Sequence, residues 1–279
     1  MDGTLAAFRA LDHAAAEAVR HGTSLELVGA AADPADIEAV LTTAARRARR
    51  RHPGLPVTRV PAPGDAAGTL LGRGRDATLT VVGCRGLGAL SGRLLGSVSA
   101  RLARRSLGPL LVVRGEGIPS RSVYGGTVLL GASGAAGADA ATYAFAETAR
   151  RHASLRVLPV DDGGASQASE ARGEDGIAGP SGRAPGPSPR EALLAATEGA
   201  DVVVVATRRR IRWWGHRLGA TTRLLLRRSR CPVLIIPVSA SPDEADRAGR
   251  RDRVSPKPRD GRVGRTGPPR GPFGPRPGP

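Results

Sequence analysis

The chain has 279 residues, room for one large domain or two of ordinary size, and 40% of them are apolar. Aromatics are only 3%, so its cores must be built from Val, Leu, Ile and Ala, which suits parallel α/β sheets better than aromatic-stacked β sandwiches. The formal net charge of +17 resembles a nucleic-acid signal, but Lys257 is the only lysine among 42 basic residues and aromatic stacking platforms are nearly absent, which argues against sequence-specific binding.

In chain order, Asp2 or Thr4 can cap a first helix, with Leu5, Phe8, Leu11, Ala15 and Val19 at helical spacing until Gly22. A strand follows from Ser24 to Ala31, then a helix over 34–51 whose basic end, Arg46 to Arg51, suits the negative end of the helix dipole. Pro56 to Val60 reads as a short strand and 65–75 as a weak helical turn. Thr78 to Gly83 is a β-branched apolar run without alternation, as in a strand buried on both faces. A glycine loop, a helix over Ser97–Ser106 and a strand over Pro109–Arg114 close the first half, and 115–125 form a linker.

Much of this pattern then repeats. Strands are expected at Thr127–Gly131, Leu155–Val160, Asp201–Ala206 and Cys231–Val238, with helices at Ala138–His152, Arg190–Gly199 and Leu218–Arg228. Strands alternating with helices call for parallel sheets with right-handed crossovers. The endings of the two halves align, which indicates a duplicated domain of roughly 120 residues. The expected domains are 1–114 and 126–238. The first lacks a strand before its opening helix. The second lacks a clear third strand, because 161–189 is rich in Gly, Ser and Pro and poor in large apolar residues. The tail over 239–279, with ten basic and five acidic residues, is expected to be disordered.

The chemistry concentrates at Gly83-x-x-Gly86-x9-Gly96-Ser97. Gly83 ends a strand where a sharp turn can require positive φ, and Gly86 lets backbone approach a phosphate. Gly96-Ser97 opens a helix whose free N–H groups, positive dipole end and Ser97 and Ser99 hydroxyls favour an anion. A strand, glycine loop and helix N-terminus is a general phosphate-holding arrangement in open α/β sheets.

This segment resembles the nucleotide-binding signature of the universal stress protein family, G-x2-G-x9-G-[ST], and the similarity runs through residues 1–114 and 126–238. The whole looks like a tandem universal stress protein of an actinobacterial kind. The resemblance implies two Rossmann-like parallel-sheet domains of the adenine nucleotide alpha hydrolase type, strand order 3-2-1-4-5, paired through their last strands. It implies ATP or AMP, with or without Mg2+, in the crevice at the strand ends. By position, Gly83, Gly86, Gly96 and Ser97 would meet phosphates or ribose, with Val98 and Ser99 beside them. Asp2 would hold the ribose or adenine side, and Ala30 falls where adenine rests. In the second half the corresponding positions carry Ala206, Arg209 and Ala220, with only Gly219 retained, and the acidic position becomes Ala132. That half reads as a structural partner. In the family the strand absent from the first half is the centre of the sheet. Without it, its neighbours would keep unpaired facing edges or close on one another. Met1-Asp2-Gly3-Thr4 looks like the end of a longer V-D-G-[ST] turn, so a start placed too far downstream and a truly shortened chain both account for the gap.

No paired carboxylates, nucleophile–base set or metal cluster is visible, so no catalytic or metal residues are assigned. The expected protein is cytoplasmic, with reduced thiols, no export signal and no membrane segment. It is a regulatory or stress-tolerance protein binding an adenine nucleotide, more a binding protein than an enzyme. The alternatives are a weak ATPase, and a dimerising scaffold whose basic tail contacts nucleic acid non-specifically or an acidic partner. The five histidines read as exposed or cap residues. Cys84 reads as a small loop residue, with a reactive thiol beside Arg85 as the alternative. Trp213-Trp214 reads as packing over a helix or as a partner contact.

Overall fold

The computed structural model describes residues 1–84, 97–114, 126–133, 136–160, 187–209 and 218–239. Four helices start where a short polar side chain takes up a free N–H group of the first turn. Thr4 caps α1 (Leu5–Arg20), Asp33 caps α2 (Pro34–Arg51), Asp65 caps α3 (Ala66–Arg73), and Ser188 with Glu191 forms a capping box on α6 (Pro189–Ala196). The others are α4 (Ser97–Arg105), α5 (Ala136–Arg151) and α7 (Ala220–Arg228). The strands are β1 (Leu25–Ala31), β2 (Val57–Pro63), β3 (Thr80–Cys84), β4 (Leu110–Arg114), β5 (Thr127–Ala132), β6 (Ser154–Pro159), β7 (Val202–Arg209) and β8 (Val233–Ser239).

Six strands form one sheet in the order β3-β4-β8-β7-β5-β6, and β1-β2 form a separate parallel pair. Within the large sheet β4 and β8 run antiparallel, with Leu111 opposite Leu234, while every other neighbouring pair is parallel. The last strands of the two halves therefore meet at the seam. Alternation along β4 sends Leu110 and Val112 to one face, with Leu102 of α4, Leu193 of α6 and Leu225 of α7. Leu111 and Val113 go to the other, with Ala10 of α1 and Ala140 and Ala144 of α5. A third cluster joins α1, α2 and β1 through Leu11, Leu27, Ile37 and Leu41. Residues Met1–Ala240 form one compact unit.

The five-stranded sheet implied for each half is not present as such among the described residues. In the first half no strand lies between β1 and β3, so its four strands fall into two ladders. The run over 78–83, expected to be buried on both faces, is an edge strand whose Val81 and Gly83 are half-buried, because nothing pairs with its outer side. β2 runs past its expected end at Val60 through Pro61 and Pro63, prolines that an edge strand tolerates. The expected linker 115–125, most of the insert 161–189, Trp213-Trp214 and the tail after Ser239 lie outside the described residues.

Candidate functional site

A cavity of about 960 Å³ opens between the two ladders of the first half. Asp2, Ala30, Gly83, Ser97, Val98 and Ser99, six of the eight candidate residues, all line it. They come from the turn before α1, the end of β1, the end of β3 and the first turn of α4. Gly86 and Gly96 lie outside the described residues, as does Arg85.

Local chemistry explains several of these positions. Gly3 has φ +73°, a left-handed conformation that favours glycine, and it turns the chain between Asp2 and Thr4. Asp2 Oδ1 accepts from the Thr4 N–H (3.1 Å) and hydroxyl (2.7 Å), which holds the capping residue at the cavity rim. Gly83 is not at positive φ, contrary to the turn expected there, and its strand continues to Cys84. Its missing side chain answers a different need: a Cβ would stand 2.5 Å from the Ala6 carbonyl oxygen, so α1 can cross β3 only at glycine. Ser99 is buried at the start of α4. Asp65, which caps α3, also pairs with Arg101 of α4. Desolvation pushes its carboxyl up, but the N–H groups of Ala67 and Gly68 and the Arg101 guanidinium hold it below the usual range.

The Met1 ammonium also points into this region and donates to the Val28 carbonyl of β1. Burial lowers its pKa, with Asp2 acting in the opposite sense. Cys84 is buried, and desolvation raises its pKa while Arg114 lowers it, which removes the reactive-thiolate alternative. Cys231 is likewise buried, its thiol pushed up to about 11 by desolvation.

In the second half, α7 begins at Gly219 with no side-chain cap, and Thr221 Oγ1 is buried without a hydrogen-bond partner. Ala206 fills the position of Gly83 and is buried.

The reading of the histidines as exposed or cap residues needs correction at His21. It follows Glu17 by one helical turn on α1, and Glu147 of α5 completes a group whose ligand-type atoms all lie within 4.8 Å of one another. Sequence reasoning missed it because Glu147 is far away in the chain. The carboxylates are already matched. Arg20 (2.7 Å) and Arg151 bind Glu17, while Arg150 (3.0 Å) and Arg151 (2.9 Å) bind Glu147. Three guanidiniums around two carboxylates make this an ion-pair network joining the halves, poorly suited to a further cation.

The sequence model of the universal stress protein family matches residues 29–114 and 180–237, just over half of the chain. The chain belongs to the universal stress protein family. Its two matched segments place it among tandem members. A universal stress protein of Mycobacterium tuberculosis H37Rv is 31% identical over 195 residues, covering 62% of this chain and 66% of that protein. A second from the same organism is 28% identical over 208 residues, covering 64% and 65%. The chain thus spans just under two thirds of the length of these relatives. Among solved structures, a universal stress protein from Archaeoglobus fulgidus superposes with a TM-score of 0.54 at 20% identity, covering 82% of this chain and 93% of that one. A protein of unknown function from Pseudomonas aeruginosa PAO1 gives 0.56 at 15% identity, covering 81% and 86%. These two share the fold. Among the described residues no helix is long and apolar enough to cross a membrane.

Proposed function

We propose that the first half of this universal stress protein binds an adenine nucleotide, ATP or AMP, and that the chain acts through binding as a regulatory or stress-tolerance protein. The supporting observation is the convergence of six candidate residues from four segments on one cavity at the carboxyl ends of β1 and β3. Its size is at the upper end of the roughly 300–1,000 Å³ usual for small-molecule pockets. Ser97, Ser99 and the first N–H groups of α4 suit phosphate oxygens, the Asp2 carboxylate suits ribose hydroxyls, and Ala30 leaves room for a flat base. With Gly86 and Gly96 they would form the complete cradle, with Mg2+ as a further ligand of the phosphates. The second half, whose corresponding positions are Ala206, Arg209 and Ala220, acts as the structural partner, with domains taken as 1–114 and 126–238.

Isothermal titration of the full chain with ATP and with AMP tests this. One site per chain is expected, weakened at least about tenfold (1.4 kcal/mol) by Gly86→Leu, which blocks backbone approach. Absence of binding, or affinity unchanged in Gly86→Leu, overturns the reading.

A further inference from the structure

Below the rim that carries the candidate nucleotide residues, the same cavity continues as a slot between β1 and β3. β1 is paired on one side by β2 and β3 on one side by β4, and neither strand is bonded to the other. Two backbone edges therefore face each other across the slot without a ladder partner, a costly arrangement unless something supplies donors and acceptors. Leu11, Leu25, Leu27, Leu70 and Val82 wall it, so the occupant must be apolar as well.

The chain contains its own template for that occupant. In the second half β5 lies between β6 and β7, parallel to both. The halves align through Glu17 with Glu147 on α1 and α5, and through Ser24-Leu25 with Ser154-Leu155 at β1 and β6. In that alignment Val28 corresponds to Leu158, which sits opposite Gly131 near the end of β5. Met1 corresponds to Gly131, and its ammonium is bonded to the Val28 carbonyl. Met1 thus stands on β1 at the level where β5 makes its last rungs with β6. The four positions that β5 fills with Thr127–Leu130 have their counterpart in the slot.

We propose that the slot is a receptor for one extended apolar peptide strand, inserted parallel to both β1 and β3, in the register of β5 and ending where Met1 stands. Main-chain hydrogen bonds to two edges supply affinity, and alternating pockets on the α1 and α3 sides select aliphatic side chains. Seating the strand replaces a partly buried ammonium by a neutral peptide N–H. It also makes the first-half ladders continuous. The occupant is peptide and lies below the rim, so this inference stands apart from nucleotide binding.

The test compares three full-length chains without nucleotide: the chain itself, one carrying Met-Thr-Val-Leu-Leu before Met1, and one carrying Met-Thr-Pro-Leu-Pro, whose prolines lack ladder donors. Hydrogen exchange over 25–28 and 79–82 and the thermal midpoint are read. The Thr-Val-Leu-Leu extension is expected to slow exchange in both segments at least about tenfold. It should also raise Tm by about 5 °C. The proline version should do neither. Exchange already equally slow in the unextended chain, or the same result from both extensions, overturns the proposal.

Discussion

His13 on α1 shows how a single side chain ties stability to pH. Burial lowers its pKa below the ordinary 6.5, and the nearby Arg151 and Arg20 charges lower it further, against a smaller opposing effect of Asp12. The folded state then holds the neutral imidazole while the unfolded state takes up a proton more readily. Unfolding free energy is therefore full above about pH 6.5 and declines as pH falls below it. Urea unfolding between pH 7.5 and 5.5 should show this decline, and His13→Gln should flatten it; an unchanged slope would assign the effect elsewhere. The residue scale is also where sequence reasoning was least complete. Gly83 was legible as a position needing glycine, but for the wrong reason: it admits the backbone of α1 at Ala6, and a helix crossing a strand is invisible in local sequence.

At the scale of elements, the contact between α1 and α5 carries the sharpest prediction. Arg151 is nearly buried and bridges Glu17 of the first half and Glu147 of the second. Removing it in Arg151→Ala leaves two buried carboxylates with only their more exposed partners, Arg20 and Arg150. The expected cost is about 3–5 kcal/mol, and Tm should fall by about 10 °C. A fall under about 2 °C in calorimetry would show that Arg20 and Arg150 suffice. The elements themselves were largely legible: α2 spans the expected 34–51, and the other described helices and strands differ from expectation by a few residues at their ends. Apolar periodicity, caps such as Asp33 and Ser188, and β-branched runs are local signals. The main exception, β2, runs through Pro61 and Pro63, which read as a stop until the strand is known to be an edge.

For the whole molecule, the three apolar clusters lie within Met1–Ala240 and draw no side chain from the tail. Ending the chain at Ala240 should therefore leave one cooperative unfolding transition with Tm moved by less than about 2 °C, since changes away from the core alter stability by about 0.5 kcal/mol or less. A larger fall in scanning calorimetry would give the Arg-rich segment a structural role. The sequence by itself determined the parallel α/β class, the duplication, the family and the candidate loop, because each rests on periodicity, repeated endings or a spaced glycine motif. Only the tertiary structure decided how the halves join, through antiparallel β4 and β8, and that six candidate residues share one cavity with an open slot beneath it. Those outcomes depend on which backbone edges find partners across long stretches of chain, and hydrogen-bond satisfaction between distant strands leaves no local trace in the residues that make it.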